Sequence, residues 1–496
     1  MTSQLSQLVK LSPELRREAV GRLRCQAGVG PAPSAPGSAA PLIRRAVRDR
    51  EPPSASYFQE QLLFLHLLHP ESAAYNIPLR ARISGPLDVG KFGATIDRVT
   101  TRHEALRTHL ELVDGRTVQS ITPAGGTEVA VTDLSSLPEP ERAEALEQAV
   151  AAAVHEPFAV RRGPLVRVHL VRLSEAEHEL IWVAHHAVAD GQSLHALVRE
   201  IAATYRAVST GSGPIPPLPV QYADLAVHQR EQLTDDRMQA MIEHWRPLLA
   251  GAPDFDPPTD LPRPAVQDFA GAMLAFEVPD PVADRLHNAG RELGATLFMV
   301  LFAAYRVLLA GWTGQHDLTV GTSVAGRGST DTDQLIGPLL NVVPTRVAVG
   351  PGATFRALVE QVRDSVSDAL DYQELPLGQL VRGLAPPRDP GRNPLYQTMF
   401  DVNECGPGPQ ALADDLALTQ VPIALEVSQM DVAVVMANEL DTLTGRFEYR
   451  TALFREETIS SLSEAFVRIL AAVGEDPDAR LDDLVRDVPT PAGVPR

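Results

Sequence analysis

Cysteine is almost missing from this 496-residue chain, with Cys25 and Cys405 the only two. Two thiols cannot build a disulfide framework, and these two have no metal-ligand spacing, so a reducing, cytoplasmic setting fits. Aromatic residues make up 5% of the chain, so the core must be packed mainly with aliphatic side chains. Positive charge is short as well: 44 Lys and Arg against 63 Asp and Glu leave a formal net charge of -19. That balance argues against a nucleic-acid partner, because phosphate binding needs a basic surface. No apolar run approaches the length that spans a bilayer. The opening Met1-Thr2-Ser3-Gln4-Leu5 lacks the basic-then-apolar pattern of a secretory signal. A cytoplasmic protein of two lobes or domains is the expectation at this length.

What is present alternates strands with helices. Ser12 to Arg17 has the capping pattern of a short helix, and Pro31 to Ser38 reads as a flexible linker, giving an N-terminal segment over 1–40. A first lobe is expected over 41–220. It holds strands at 77–83, 164–170 and 179–185 and helices after Pro86, at 138–154 and at 191–207. Two linking helices and a proline-rich crossing fill 221–264. A second lobe over 265–480 restarts the pattern with strands at 272–278, 317–324, 342–348, 397–403, 430–437 and 443–449, and a tail occupies 481–496.

The most chemically loaded stretch is Ala184-His185-His186-Ala187-Val188-Ala189-Asp190-Gly191. It follows the apolar run Leu180-Ile181-Trp182-Val183 and precedes helical spacing from Gln192. A strand thus ends in two histidines, and a short turn adds an aspartate and a glycine. An imidazole there titrates near neutrality and can move protons. The aspartate can hold the turn rigid, and Gly191 tolerates backbone angles that other residues resist.

Seven stretches, in order, then carry a family resemblance. They are Ser56 to Leu63, Arg102 to Thr108, the His-His-x-x-x-Asp-Gly stretch itself, Tyr222 to His228, Ile336 to Pro344, Tyr372 to Leu377 and Arg388 to Leu395. Together they resemble the motif series of nonribosomal peptide synthetase condensation domains. Four positions, in three of these stretches, depart from the usual arginine or tryptophan: Gln61, Leu63, Gln192 and His228.

The resemblance implies an α/β fold of two chloramphenicol acetyltransferase-like lobes, a V-shaped pseudo-dimer with a central tunnel and the histidine signature at the junction. It implies no bound cofactor or metal. Substrates would arrive as thioesters on the phosphopantetheine of a donor carrier protein, with a second carrier protein or a small soluble amine or alcohol as acceptor. A monomer is implied. His186 is expected to act as general base or to position the nucleophile and stabilise developing charge, and both roles stay open. His185 is expected to support it by packing, and Gly191 to leave room for substrate. Asp190 is expected in a salt bridge with Arg102, or failing that Arg107, where losing one partner costs about 3–5 kcal/mol. Asn341 and Asn393 are expected to order loops near the site.

Gly321 to Arg327 lacks the Gly-Lys-Ser/Thr ending of a phosphate loop and is expected to border the tunnel. The basic pairs Arg16-Arg17, Arg44-Arg45 and Arg161-Arg162 are candidate docking points for an acidic carrier protein. Amide formation ranks first and ester formation close behind. No adenylation or carrier segment lies within the chain, so it is expected to be a free-standing enzyme or an excised domain. The histidine pair disfavours the cyclising relatives, which carry aspartates there, and the seventh motif disfavours the epimerising ones. The alternatives are a catalytically silent module that recruits tailoring enzymes to a carrier-bound peptide, and an acyltransferase using coenzyme A thioesters.

Overall fold

The computed structural model describes residue 43 and residues 51–489, apart from 214, 328–331, 351, 404–405, 424–425, 440–441 and 487. Cys25, Cys405, the helix expected at Ser12 to Arg17, the linker from Pro31 and the pairs Arg16-Arg17 and Arg44-Arg45 lie outside the described residues.

The chain enters with α1 (Tyr57–Leu68), started by a reciprocal cap. Ser56 Oγ accepts from the Gln59 amide at 3.1 Å, and Gln59 Oε1 accepts from the Ser56 amide at 3.0 Å. Next come β1 (Asn76–Ser84), α2 (Val89–Arg102), a 3-10 turn at Glu104–Arg107, the hairpin β2 (Thr108–Val113) and β3 (Arg116–Ile121), and β4 (Ala130–Asp133). They are followed by α3 (Glu139–His155), β5 (Val166–Arg172), β6 (Glu177–His185) and α4 (Gly191–Thr210). The stretch Arg102 to Thr108 therefore leaves the helix at Arg102 and turns into the hairpin.

Two linking helices, α5 (Tyr222–Gln232) and α6 (Asp235–Leu249), lead to the second half. It comprises β7 (Gly271–Val278), α7 (Asp280–Glu292), α8 (Leu297–Thr313), β8 (Asp317–Val324), β9 (Asn341–Ala348), α9 (Phe355–Asp371) and α10 (Leu377–Leu384). The rest is β10 (Thr398–Asn403), β11 (Gln410–Ala413), β12 (Leu416–Val421), β13 (Val432–Glu439), β14 (Thr442–Arg450), α11 (Glu456–Glu475) and α12 (Leu481–Leu484).

Two six-stranded sheets organise these elements. The first runs β11-β12-β1-β6-β5-β4, with β6 antiparallel to both neighbours. Leu180, Ile181, Trp182 and Val183 are 0% exposed, which explains their unbroken apolar run: a strand covered on both faces does not alternate. Each such side chain contributes about 1.5–3 kcal/mol by leaving water. The second sheet runs β7-β14-β13-β10-β8-β9, with β10 parallel to β8 and β13. Helix α8 carries no charge apart from Arg306, whose guanidinium donates to the Leu318 and Thr345 carbonyls, and it lies in the core of this half, so its largely apolar composition reflects burial. No single described helix is long and apolar enough to cross a membrane.

The division between the halves is crossed by the hairpin β11–β12. It comes from the second half in sequence but extends the first sheet, pairing β12 antiparallel to β1 from Arg80↔Val421 to Ser84↔Ala417. Strand patterning in the sequence gives no sign of it. The segment is rich in alanine and turns on Asp414-Asp415, and such residues have low strand propensity until a partner edge pairs with them.

Candidate active site at the lobe junction

Strand β6 ends at His185, whose amide bonds to the Leu165 carbonyl at 2.9 Å. The His186 amide donates to the Tyr75 carbonyl at 2.8 Å, and the Val188 amide closes a turn onto the His185 carbonyl at 3.0 Å. The two imidazoles consequently leave the strand end in different directions. His185 is 4% exposed and packs against the rings of Phe158 and Tyr75, with centroids 6.1 and 6.5 Å away. Its Nδ1 accepts from the Ala187 amide at 3.1 Å, so its proton sits on Nε2. Burial pushes its pKa down to about 3, and the His186 charge acts in the same direction.

His186 is partly exposed and meets the edge of Phe58 at 5.1 Å. Its Nδ1 lies 2.9 Å from the Ala189 carbonyl oxygen. A carbonyl only accepts, so Nδ1 carries the proton and Nε2 keeps its lone pair. Nε2 has no hydrogen bond among the described residues. Burial lowers the His186 pKa, while the Asp190 charge works against that shift. The loop itself is braced by Gln59, whose Nε2 donates to the Ala187 carbonyl at 3.0 Å.

Asp190 is 1% exposed and caps α4 by accepting from the Ser193 amide at 2.8 Å and its hydroxyl at 2.7 Å. Its ion-pair partner is Arg327, which approaches in bidentate fashion with 2.9 Å to each carboxylate oxygen. The Leu339 amide adds a third direction at 3.0 Å, and Ser193 Oγ is shared with the Gly337 amide at 3.1 Å and carbonyl at 2.9 Å. Arg327, Gly337 and Leu339 all follow β8 in the second half, so the loop of the first lobe is held by the second. Gly337 must be glycine here: a Cβ would lie 2.2 Å from the Tyr222 ring.

This corrects the expected partners of Asp190. Arg102 instead donates to Glu200 at 2.6 Å, where His103 also sits at 2.7 Å. Arg107 spends its donors on the carbonyls of Thr100 at 3.0 Å and of Thr122. Arg102 thus ties the end of α2 to α4, and Arg107 braces the turn that leaves α2. Arg327 is visible in the sequence as the end of the Gly321 to Arg327 loop, but its separation of 137 residues from Asp190 gives no local sign of pairing.

The remaining candidates lie around this junction or beyond it. A Cβ on Gly191 would meet nothing within 4 Å. Asn341 donates to the carbonyls of Gln373 and Leu375, both at 2.8 Å, and accepts from the Leu377 amide at 3.2 Å. Asn393 donates to the Gln429 carbonyl at 2.7 Å and accepts from Gln267 at 3.0 Å. Arg161 and Arg162 are exposed. Among the described residues no group of three His, Cys, Asp or Glu could hold a metal ion. Two open surface cavities, about 620 Å³ beside Phe269 and about 570 Å³ beside Arg107, are not lined by His186. The site is marked by the tautomer of His186 and the lock on its loop.

Comparison with known proteins agrees with this geometry. A family model described as "Condensation domain" matches residues 53–488. A linear gramicidin synthase protein of Brevibacillus parabrevis is 35% identical over 443 residues, 88% of this chain and 9% of that protein. Phosphinothricin tripeptide synthetase PhsC of Streptomyces viridochromogenes is 35% identical over 490 residues, 97% of this chain and 44% of that protein. The chain thus spans less than half the length of either relative. The X-domain in its complex with OxyB from teicoplanin biosynthesis superposes with a TM-score of 0.80 at 27% identity, covering 90% of this chain and 98% of that one.

Proposed function

The chain belongs to the condensation-domain family, and from that premise we propose that it transfers an acyl or aminoacyl group from the phosphopantetheine thioester of a carrier protein to an amine, forming an amide. The observation that carries this reading is the free Nε2 of His186. The Ala189 carbonyl fixes the proton on Nδ1, and burial favours the neutral ring. A neutral imidazole with one open lone pair can accept a proton from the attacking amine, or hold that amine in place by a hydrogen bond.

The step balances without a further reactant. The amine nitrogen attacks the thioester carbonyl carbon, the C–N bond forms, and the nitrogen gives its proton to Nε2. The C–S bond breaks, and the departing thiolate takes the proton back. Asp190 does not meet the substrate in this scheme. Its carboxylate is committed to Arg327, Ser193 and Leu339, so it holds the turn that aims His186. An alcohol acceptor, giving an ester, would use the same base and depend on it more strongly. Any acceptor would be brought by a second carrier protein or as a free small molecule.

The likeness to the X-domain that was solved with OxyB motivates a second reading, a module that binds a loaded carrier and recruits a tailoring enzyme without catalysis. The tautomer and opening of His186 favour catalysis. Carrier protein loaded with acyl or aminoacyl thioesters, incubated with panels of amines and alcohols and read by mass spectrometry, separates the two. Wild type is expected to give product, and His186→Ala about 10²–10⁴-fold less. Binding of loaded carrier without product from any acceptor would replace the catalytic reading by recruitment.

A further inference from the structure

Two buried carboxylates, Asp190 and Asp431, are matched by cations. Asp190 grips Arg327, and Asp431 grips Arg263 at 2.5 Å and Arg450 at 3.3 Å. Asp401, on β10, has no ion pair among the described residues. It is half-buried, and its Oδ1 takes every hydrogen bond it makes: the Ser323 amide at 2.7 Å, the Ser323 hydroxyl at 2.8 Å and the Thr322 hydroxyl at 3.4 Å. Oδ2 has no hydrogen-bond partner among the described residues, and the residue is only half-buried. Burial raises the Asp401 pKa, and the charge that adds to this shift is another carboxylate, Glu448.

Its position suits a ligand. On β10 and β13 the side chains of Phe400, Val434 and Met436 enter the helix-covered core. By strand alternation Asp401 stands on the opposite face, with Met399 and Val435. It lies toward the C-terminal ends of the parallel strands β8 and β10, where open α/β sheets bind ligands. Ser323 is exposed beside it. Four residues further along the same strand end is Arg327, which holds the His186 loop through Asp190. Tyr396 links the two regions: its ring leaves no room for a Cβ on Gly321, and its phenol feels the charge of Asp401 and of Tyr75, whose carbonyl receives the His186 amide.

A half-buried carboxylate with one anchored and one unpaired oxygen, and no cation of its own among the described residues, is complementary to an ammonium group. That ammonium cannot be the nucleophile, because an amine held protonated against a carboxylate has no lone pair to attack with. We infer that Asp401, flanked by Ser323, is the subsite for a second, protonated amine of the acceptor, separate from the group that attacks the thioester. The acceptor class is then a diamine or a basic amino acid derivative. The inference rests on the acyl-transfer reading above.

Calorimetric titration of the full chain with lysine amide and with norleucine amide tests it, since the two differ only in the side-chain ammonium. Wild type is expected to bind lysine amide about tenfold more tightly, an ordinary gain for one such pair. Asp401→Asn keeps an Oδ1 acceptor for Ser323 but loses the charge, and should bring the two within about twofold. A test without a variant uses salt: raising it from roughly 0.05 to 0.5 M should erode the wild-type preference several-fold. Equal binding in wild type, a preference that survives in Asp401→Asn, or one indifferent to salt would each overturn the subsite. The same two acceptors run in the transfer assay separate the claims. A lysine preference without product from any acceptor leaves the subsite and removes the catalytic reading. Product from both without preference does the reverse.

Discussion

Asp190 and Asp401 are two carboxylates withdrawn from bulk water, and their surroundings differ in kind. Asp190 meets a bidentate guanidinium, a backbone amide from the opposite lobe and its own helix cap. Asp401 meets three neutral donors on a single oxygen. Removing a charge from water is costly unless a partner compensates it within the protein. Asp190 is compensated inside the fold, so its work is structural: it ties the histidine loop to the second lobe. Asp401 is compensated only in part, and we assign the missing part to a ligand. The contrast shows that burial alone does not reveal a carboxylate's task, whereas the inventory of its partners does.

The largest way to break this contrast is Arg327→Ala. It strands the Asp190 charge among Ser193 and Leu339, and a loss of about 3–5 kcal/mol is expected in urea unfolding, with the transfer activity lost too. Replacing both members by neutral residues, Asp190→Asn with Arg327→Met, should recover much of that stability, because no charge is left unpaired. A double-variant stability equal to that of Arg327→Ala alone would mean the lock is shape rather than charge.

Ser193→Ala sharpens it at a smaller scale. The hydroxyl serves Asp190 and both backbone groups of Gly337, so its removal is expected to cost about 1–3 kcal/mol, read as a lower urea midpoint at unchanged slope. No change would show that water substitutes there and that the lobes are held less tightly than these hydrogen bonds indicate.

The smallest effect carries the opposite sign. Because burial holds the Asp401 pKa above its usual value, the unfolded chain ionises first as pH rises, and ionisation there opposes folding above the ordinary carboxylate range. Asp401→Asn should therefore raise Tm slightly at pH 7, by less than the roughly 2–4 °C that ~1 kcal/mol gives in a mid-sized domain. Below pH 3.8, the usual value for this carboxyl, wild type is protonated in both states and the difference should vanish. A lower Tm for Asp401→Asn at pH 7 would mean that the carboxylate is compensated in the unliganded protein and would align it with Asp190.

How much of this was legible in the chain follows from the range over which each feature is determined. The strand ending in His185 and His186 could be read from Leu180 to Val183, since a doubly covered strand writes itself as a continuous apolar run. Helix α4 could be read from the apolar spacing after Gln192, because helical periods involve neighbours within a turn. The motif series carried the family and the two-lobed fold. Only the tertiary structure decided which arginine Asp190 meets, since Arg102, Arg107 and Arg327 differ chiefly in where packing delivers them. It also decided that Ala417 to Val421 pairs with β1 of the other lobe, because strand partners far apart in sequence are chosen by the available sheet edge. The isolation of Asp401 belongs there too. A carboxylate lacks a cation only when the folded arrangement brings none near it, and that condition has no local signature in the sequence.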